Sequence, residues 1–576
     1  MYQATLGNPW AVTLLAVAVV LAAFIRLSKI GKRAPGLPPG PPTIPVLGNL
    51  HLVSMILPTI SPVYRDCPVL TDRTFANQMP TVKPHLQFQK WAQEYGPIYS
   101  LVLGTKTVIV LSSDETVKDL LDKKSGIYSD RPDMFIGQKI ASGDLRLVVM
   151  RYGDNWRMIH KMVHNILNIK AAVTYVPYQD LENKILLDGL LDTPQDFLNH
   201  IRRFSYSLAT QMIFGFRCPD IKDPELQQLF WCFDHWGELA GSASAQIADL
   251  YPILQKLPSF IAPNVRYAKY LHKIEKKLYV GHWMRAKRGL ESGTGLPCFC
   301  NDVLRVQQIE KFSDDAAGYM SGSLLEAGSD TTSGTLYGFI LAMLVFPEVQ
   351  KKAQEEIDRV VGHGRLPTMD DYDELHYIRC CIKESLRWMP TIILGVPHAT
   401  TKDDTYGNYV IPKGATVINN VWAIHMDPKR SPDPRRFDPD RFKEDFTTLY
   451  QSANGDPAKR DNFNFGAGRR LCQGIHIAER SLFLGMSRLI WAFDMSKPLD
   501  DSGNPITPDI DDLVGGITVQ PRDYQAVFTP RSAEKVKIIR VAARECQDLL
   551  DPNTKQWKKM PEGMALSTWM PEKVDV

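Results

Sequence analysis

Phe465-Gly466-Ala467-Gly468-Arg469-Arg470-Leu471-Cys472-Gln473-Gly474 sets one cysteine among glycines, arginines and an aromatic ring. The apolar, periodic run Ile475 to Trp491 follows directly and predicts a helix. Cys472 then lies just before a helix N-terminus, where unpaired N–H groups and the positive dipole end favour an anion. The thiolate, not the thiol, binds metal, so a loop that favours the anion suits a metal ligand. The glycines permit positive φ and close approach of the backbone to a flat ligand. A single thiolate cannot build a zinc or iron–sulfur site, which need several ligands. It can be the one axial ligand of haem iron. Phe465 is placed to cover the sulfur, and Arg470 to pair with a carboxylate on the ligand.

Phe465, Gly468, Arg470, Cys472 and Gly474 match the spacing Phe-x-x-Gly-x-Arg-x-Cys-x-Gly. The stretch resembles the haem-binding signature of the cytochrome P-450 family. That resemblance implies haem b with Cys472 as the axial ligand of its iron, and structural roles for Gly468 and Gly474.

The rest of the chain predicts a mainly α protein with a minor β region. β-branched runs around turn residues place a small hairpin or meander within residues 92–111. Helical patterns dominate from Asp114 through Lys383, and strand signals return at Tyr409 to Ile418 and Val514 to Phe528. Composition is ordinary for a globular chain, 44% hydrophobic and 23% charged over 576 residues. No internal repeat appears, so one catalytic unit is expected over residues 51–576. A net charge of +3 is too weak to argue for nucleic acid. The 9 cysteines are scattered without framework spacing, which suggests free thiols in a reducing compartment.

The N-terminal end reads as a membrane anchor, residues 1–33. Trp10 to Ile25 is an apolar run of about sixteen residues, at the short end for a transmembrane helix. Arg26, Lys29, Lys32 and Arg33 follow it. Positive charge on the C-terminal side places that side in the cytosol, and a signal peptide would carry its charge before the run. Residues 34–50 hold a proline-rich stretch that favours stiff, non-helical backbone. It resembles the hinge of microsomal members of the family. Val53 to Gln78 shows no helical or strand period, contains Pro58, Pro62 and Pro68, and interrupts a connection that is short in the family. A structureless run of that length is foreign to a compact domain. Val-Ser at its start and Gln at its end are encodable by intron borders, so it reads as a translated intron or an inert insertion.

Three further motifs stand in the family's order. Trp156 and His160 lie on an amphipathic helix resembling the family's Trp-x-x-x-Arg helix, which implies contacts to haem propionates. Histidine stands where arginine is usual, so its charge depends on pH. A long helix is expected from Asp314 to Phe346, with Ser313 as its cap and Pro347 ending it. That is about 33 residues, or roughly 50 Å. Ala327-Gly328-Ser329-Asp330-Thr331-Thr332 at its middle is poor by helix propensity, a hint of function. It resembles the family's oxygen-side motif, in which Asp330 and Thr331 relay protons and Ala327 leaves room beside the ligand. Glu384 and Arg387, three residues apart on a helix ended by Pro390, share a face. With Arg441 they resemble the family's buried charge triad, with Asp440 where Glu is usual. Between them, Ile393, Leu394 and Val396 are expected to line the substrate pocket, and His398 to reach a propionate.

The resemblance implies a membrane-anchored haem-thiolate monooxygenase that inserts one atom of O2 into a small apolar or aromatic metabolite. The pattern is fungal in style and points to secondary metabolism, with the chain as a single-pass protein of the endoplasmic reticulum. No G-x-G-x-x-G fingerprint follows a strand. Electrons are therefore expected from NADPH through a separate NADPH–cytochrome P-450 reductase, with cytochrome b5 as a candidate second donor. The alternatives are a family member that couples or rearranges its substrate and, from another class, a non-catalytic haem-binding membrane protein.

Overall fold

The computed structural model describes Trp10, residues 13–18, Leu21, residues 29–53 and residues 83–564. Most of the expected anchor, and the expected insertion apart from Val53, lie outside the described residues. Among the described residues no single helix is long and apolar enough to cross a membrane.

The principal helices are α1 (Pro84–Tyr95), α2 (Asp154–Leu167), α3 (Val176–Asp192), α4 (Phe197–Phe214), α5 (Pro224–Gly241), α6 (Pro263–Glu291), α7 (Asp314–Val345), α8 (Pro347–Val360), α9 (His376–Trp388), α10 (Ile475–Ala492) and α11 (Ala533–Asp548). The expected boundaries hold closely where the punctuation is strong. Ser313 Oγ accepts the Ala316 N–H at the start of α7, and Pro347 opens α8 one residue after α7 has ended. Helix α7 has 32 residues and is buried along most of its length, with α4, α6 and α10 packed around it. A helix apolar on every side belongs in the middle of a core.

The β region is small. Strands β1 (Ile98–Leu103) and β2 (Lys106–Leu111) form the expected hairpin, with Ile98 opposite Leu111. The short strands β3 (His398–Ala399), β4 (Asp404–Tyr406), β5 (Tyr409–Ile411) and β6 (Thr416–Asn419) come from the middle of the chain. Strand β6 pairs parallel with β2 and antiparallel with β3, giving the sheet order β1-β2-β6-β3. The proline-rich stretch is tied to that sheet. Arg33 donates to the carbonyls of Pro38, Pro41 and Ser100, and Asn49 joins Pro41 and Pro42 to the Val102 N–H.

Two features were not legible beforehand. Lys118–Lys123 and Phe135–Ile140 form single wide helical turns with i→i+5 bonding, a geometry that often marks functional places. After α11 the chain turns back, and Trp557 packs on Tyr178 of α3 while its indole N–H reaches Gln211 of α4.

Candidate functional site

All eight described cysteines are free thiols; seven are buried and Cys472 alone is exposed. Cys472 is nevertheless surrounded by protein, since burial is the first influence on its thiol and pushes it above its ordinary range. The residue thus keeps accessible surface within a protein-walled place. The Gly474 N–H opposes that rise by hydrogen-bonding the sulfur, the expected bias toward the anion at the start of α10.

The loop carrying it is held at several points. The Cys472 N–H donates to Phe465 O at 2.8 Å. Gly468 has φ +61°, and a Cβ there would fall 2.0 Å from Leu121 O, so only glycine fits. Its N–H donates to Asp122 Oδ1 in the wide turn before Ser125. Gly474 has no such constraint: its φ is −80°, and an added Cβ would meet only Cys472 Sγ at 3.7 Å. Phe465 is half-buried against the core beneath α10.

Helix α7 carries a second stretch of accessible surface. Ala327 and Gly328 are exposed and Thr331 is half-buried, although nearly every other residue in the central stretch of α7 is buried. Thr331 Oγ1 donates to Ala327 O at 2.7 Å. Asp330 is buried and hydrogen-bonded by Thr518, and burial raises its carboxyl above the usual range.

A third set of groups offers hydrogen-bond donors, two of them guanidiniums. Arg470 donates to Ser129 O and Met150 O and lies 4.2 Å over the Trp156 ring. Arg131 donates to Val148 O, Val396 O and Pro397 O. His398 Nδ1 is bonded to Tyr128 O at 2.7 Å. These three groups lie within electrostatic reach of one another. After burial, Arg470 lowers Arg131, and His398 is pushed to about 3 by burial and then Arg131. The nearest carboxylate, Asp130, is committed to Arg151 and the Tyr152 N–H. Among the described residues, Arg131 Nη2, Arg470 Nη1 and His398 Nε2 have no acceptor. Two crowded guanidiniums and a neutral imidazole with unused donors are costly alone and suited to a bound anion. A flat ligand with carboxylates suits this cradle, in which Arg470 stands two positions from Cys472.

His160 packs against Trp156, their rings 4.5 Å apart and tilted by 36°. Burial first, then His164 and Arg470, push its imidazole down to about 4. In this chain it is neutral near pH 7, so the expected cationic donor would need an anion to raise it.

The triad is buried as expected. Arg387 donates Nε and Nη2 to the two Glu384 oxygens at 2.6 and 2.7 Å. Arg441 Nε reaches Glu384 Oε1 at 3.4 Å, and Asp438 N–H donates to the same oxygen at 2.8 Å. Asp440 takes no part and pairs with Lys352 at the surface. Arg387 Nη1 also holds His425 O; His425 Nδ1 bonds Arg387 O, and its Nε2 accepts the Phe463 N–H at 2.8 Å. Asn464 donates to Leu386 O. The triad is thereby joined to the cysteine loop.

Of the expected pocket residues, Ile393 is buried with Trp422, Met426 and Val519, half-buried Leu394 lies against that group and the Phe88–Trp91–Tyr99 cluster, and half-buried Val396 joins the cluster that holds Ile136 and Trp236. The segment bends at Gly395, with φ +62°. Sequence reasoning missed Arg131, Asp122 and His425, each isolated in sequence and brought in by tertiary structure.

A family model described as Cytochrome P450 matches residues 74–528. The cytochrome P450 monooxygenase virE of Hypocrea virens is 51% identical over 566 residues, covering 98% of this chain and 97% of that protein. The cytochrome P450 monooxygenase fogE of Aspergillus ruber is 47% identical, covering 95% of this chain and 97% of that protein. The cytochrome P450 monooxygenase fsoB of Humicola fuscoatra is 46% identical, covering 98% of this chain and 99% of that protein.

Proposed function

The chain belongs to the cytochrome P450 family and is a haem-dependent monooxygenase, and from that premise we propose which of its residues do the work. The observation that carries the assignment is Cys472, the one exposed thiol among the described residues, two positions from Arg470, a guanidinium with an unused donor. Cys472 ligates the iron; Arg131, Arg470 and His398 hold the propionates, with Trp156 and His160 along their edge. When bound, the haem supplies reductive activation of O2 at an iron whose thiolate ligand favours O–O cleavage.

The chain's own groups then handle protons and space. Thr331 Oγ1 holds a proton that its bond to Ala327 O directs along α7. Asp330, its carboxyl raised by burial, passes protons toward that hydroxyl. Val396 and the Ile136 segment present apolar surface to substrate, which suits a small apolar or aromatic metabolite of secondary metabolism.

The family takes electrons from a redox partner, here NADPH–cytochrome P450 reductase, with cytochrome b5 as a second donor. We place the chain on the endoplasmic reticulum, with its catalytic part in the cytosol. Exposed Ile44, Val46 and Leu47 support a membrane-facing side, joined by Ile253, Leu257, Phe260 and Ile261. Tyr251 bonds Val46 O at 2.8 Å, so both groups share one face. Apolar patches of this kind mark contact surfaces. The decisive experiment is Cys472→Ser. The variant should lose the thiolate-specific carbon monoxide absorption of the reduced protein; a variant that keeps it would refute the ligand assignment.

A further inference from the structure

Helix α6 carries more cations than its contacts use. Between Leu250 and Leu290 the sequence holds nine lysines and arginines and a single acid, Glu275. Glu275 is buried and already paired with Arg146. Lys276 and Lys287 pair with Asp315 and Asp314 at the start of α7. Arg266, Lys269, Lys273, Lys277 and Arg288 are exposed, and among the described residues none of them forms an ion pair. At about 100° per residue these five lie within an arc of about 100°, and from Arg266 to Arg288 they extend about 33 Å along the axis. Small ligands bind in concave sites. A long row of unpaired cations on a convex helix face fits an extended anionic surface instead.

The loop that leads into α6 is apolar and open to solvent. Ile253 and Phe260 are each 74% exposed, and Leu257 and Ile261 are exposed as well. Ile261 stands five positions before Arg266. The loop is also tied to the first part of the chain. Tyr251 OH donates to Val46 O at 2.8 Å, and the Val46 N–H donates to Ile30 O at 2.8 Å. Lys29 and Lys32, next to that carbonyl in sequence, are exposed and, among the described residues, form no ion pair. In sequence the apolar run Trp10 to Ile25 ends four residues before Lys29. The exposed apolar side chains thus have unpaired cations next to them at two places.

We propose that this face docks on a bilayer carrying anionic phospholipids, with the 252–262 loop in the headgroup layer and the α6 cations on acidic headgroups. This rests on the membrane-facing side proposed above and adds its lipid chemistry. The apolar loop by itself would settle on any phospholipid. Each cation held within a Debye length of negative lipid, about 8 Å at physiological salt, strengthens the docking by about fivefold. An acidic protein surface would use the cations but not the apolar side chains beside them. A basic face joined to an apolar one matches an interface of anionic lipid.

Hydrogen–deuterium exchange of the haem-loaded full chain tests this, with the protein reconstituted in vesicles of phosphatidylcholine alone or with about 30% phosphatidylinositol. Backbone amides of residues 253–261 should be protected on both vesicles, and roughly tenfold or more better on the anionic ones. The triple variant Lys269→Gln, Lys273→Gln, Lys277→Gln should lose that gain and keep the protection on phosphatidylcholine. Arginine at the same three positions should retain the gain, and about 0.5 M salt should remove it. Ile253→Ser with Phe260→Ser should lose protection on both vesicles. The carbon monoxide absorption of the reduced protein should be unchanged in every variant, which reports an intact haem site. Equal loop protection on the two vesicles, or a gain that survives the triple glutamine variant, overturns the lipid assignment while the membrane-facing side stands. A loop left unprotected on both vesicles overturns the membrane-facing side itself.

Discussion

Removing the Glu384 carboxylate should damage both the fold and the hold on haem. The side chain is fully buried and accepts from Arg387 twice, from Arg441 and from the Asp438 N–H. Burial raises its carboxyl, and Arg387 and Arg441 act against that rise. Glu384→Ala leaves Arg387 charged and 2% exposed, with its two best acceptors gone. Breaking one side of such a pair costs about 3–5 kcal/mol, or roughly two to three and a half powers of ten in the folding equilibrium. Glu384→Gln keeps the shape and an acceptor, and should cost less. The damage should travel, because Arg387 holds His425 O and His425 accepts the Phe463 N–H at the head of the cysteine loop. The assays are the urea unfolding midpoint of the haem-loaded protein and the rate of haem transfer to an acceptor protein. A midpoint shift worth under about 1 kcal/mol would refute the buried-charge argument. A destabilised variant that loses haem at the wild-type rate would refute the connection to the loop.

Three other outcomes follow from the geometry. Gly468→Ala forces a non-glycine residue to φ +61° against Leu121 O and should cost at least about 1–3 kcal/mol along with haem content, whereas Gly474→Ala should not strain the backbone; equal losses in urea midpoint would contradict this. His160→Arg should slow haem loss by a near-constant factor from pH 6.5 upward, because the native imidazole, at about 4, is already neutral there; a wild-type haem-loss rate that climbs steeply through neutral pH would show that a propionate holds it charged. His85 and His282 are lowered, chiefly by burial, to about 4 and about 3. Their folded values lie below the unfolded one, so the stability they contribute is present above pH 6.5 and is lost as pH falls toward those values; unfolding midpoints that do not drop from pH 6.5 to 4 would count against neutral burial.

The sequence carried the site in proportion to how local each part is. The cysteine loop, the cap and length of α7, and the Glu384–Arg387 spacing are contiguous, and the chain folds them as read. The anion cradle is different. Arg470 is visible in the loop, but Arg131 stands more than three hundred positions away in sequence and His398 reaches it from β3. No periodicity announces an arginine that spends its donors on the carbonyls of Val148, Val396 and Pro397. The segment from Ile393 to Val396 is a third case. An apolar run states that residues are buried, not against what: Ile393 packs with Trp422 and Val519, while Val396 joins the cluster of Ile136 and Trp236.

The same distinction explains why Asp440 departs from the expected pattern without disturbing the triad. The Glu384 oxygens are already satisfied by Arg387, Arg441 and the Asp438 N–H. A fourth side chain has no open position there, and Asp440 instead meets Lys352 at the surface, where an ion pair contributes little. A change from Glu to Asp at that position is therefore cheap, whereas the same shortening at Glu384 would withdraw the carboxylate from both guanidiniums at once. What constrains each residue is the number of buried partners it must satisfy, and that number is set by the folded neighbourhood.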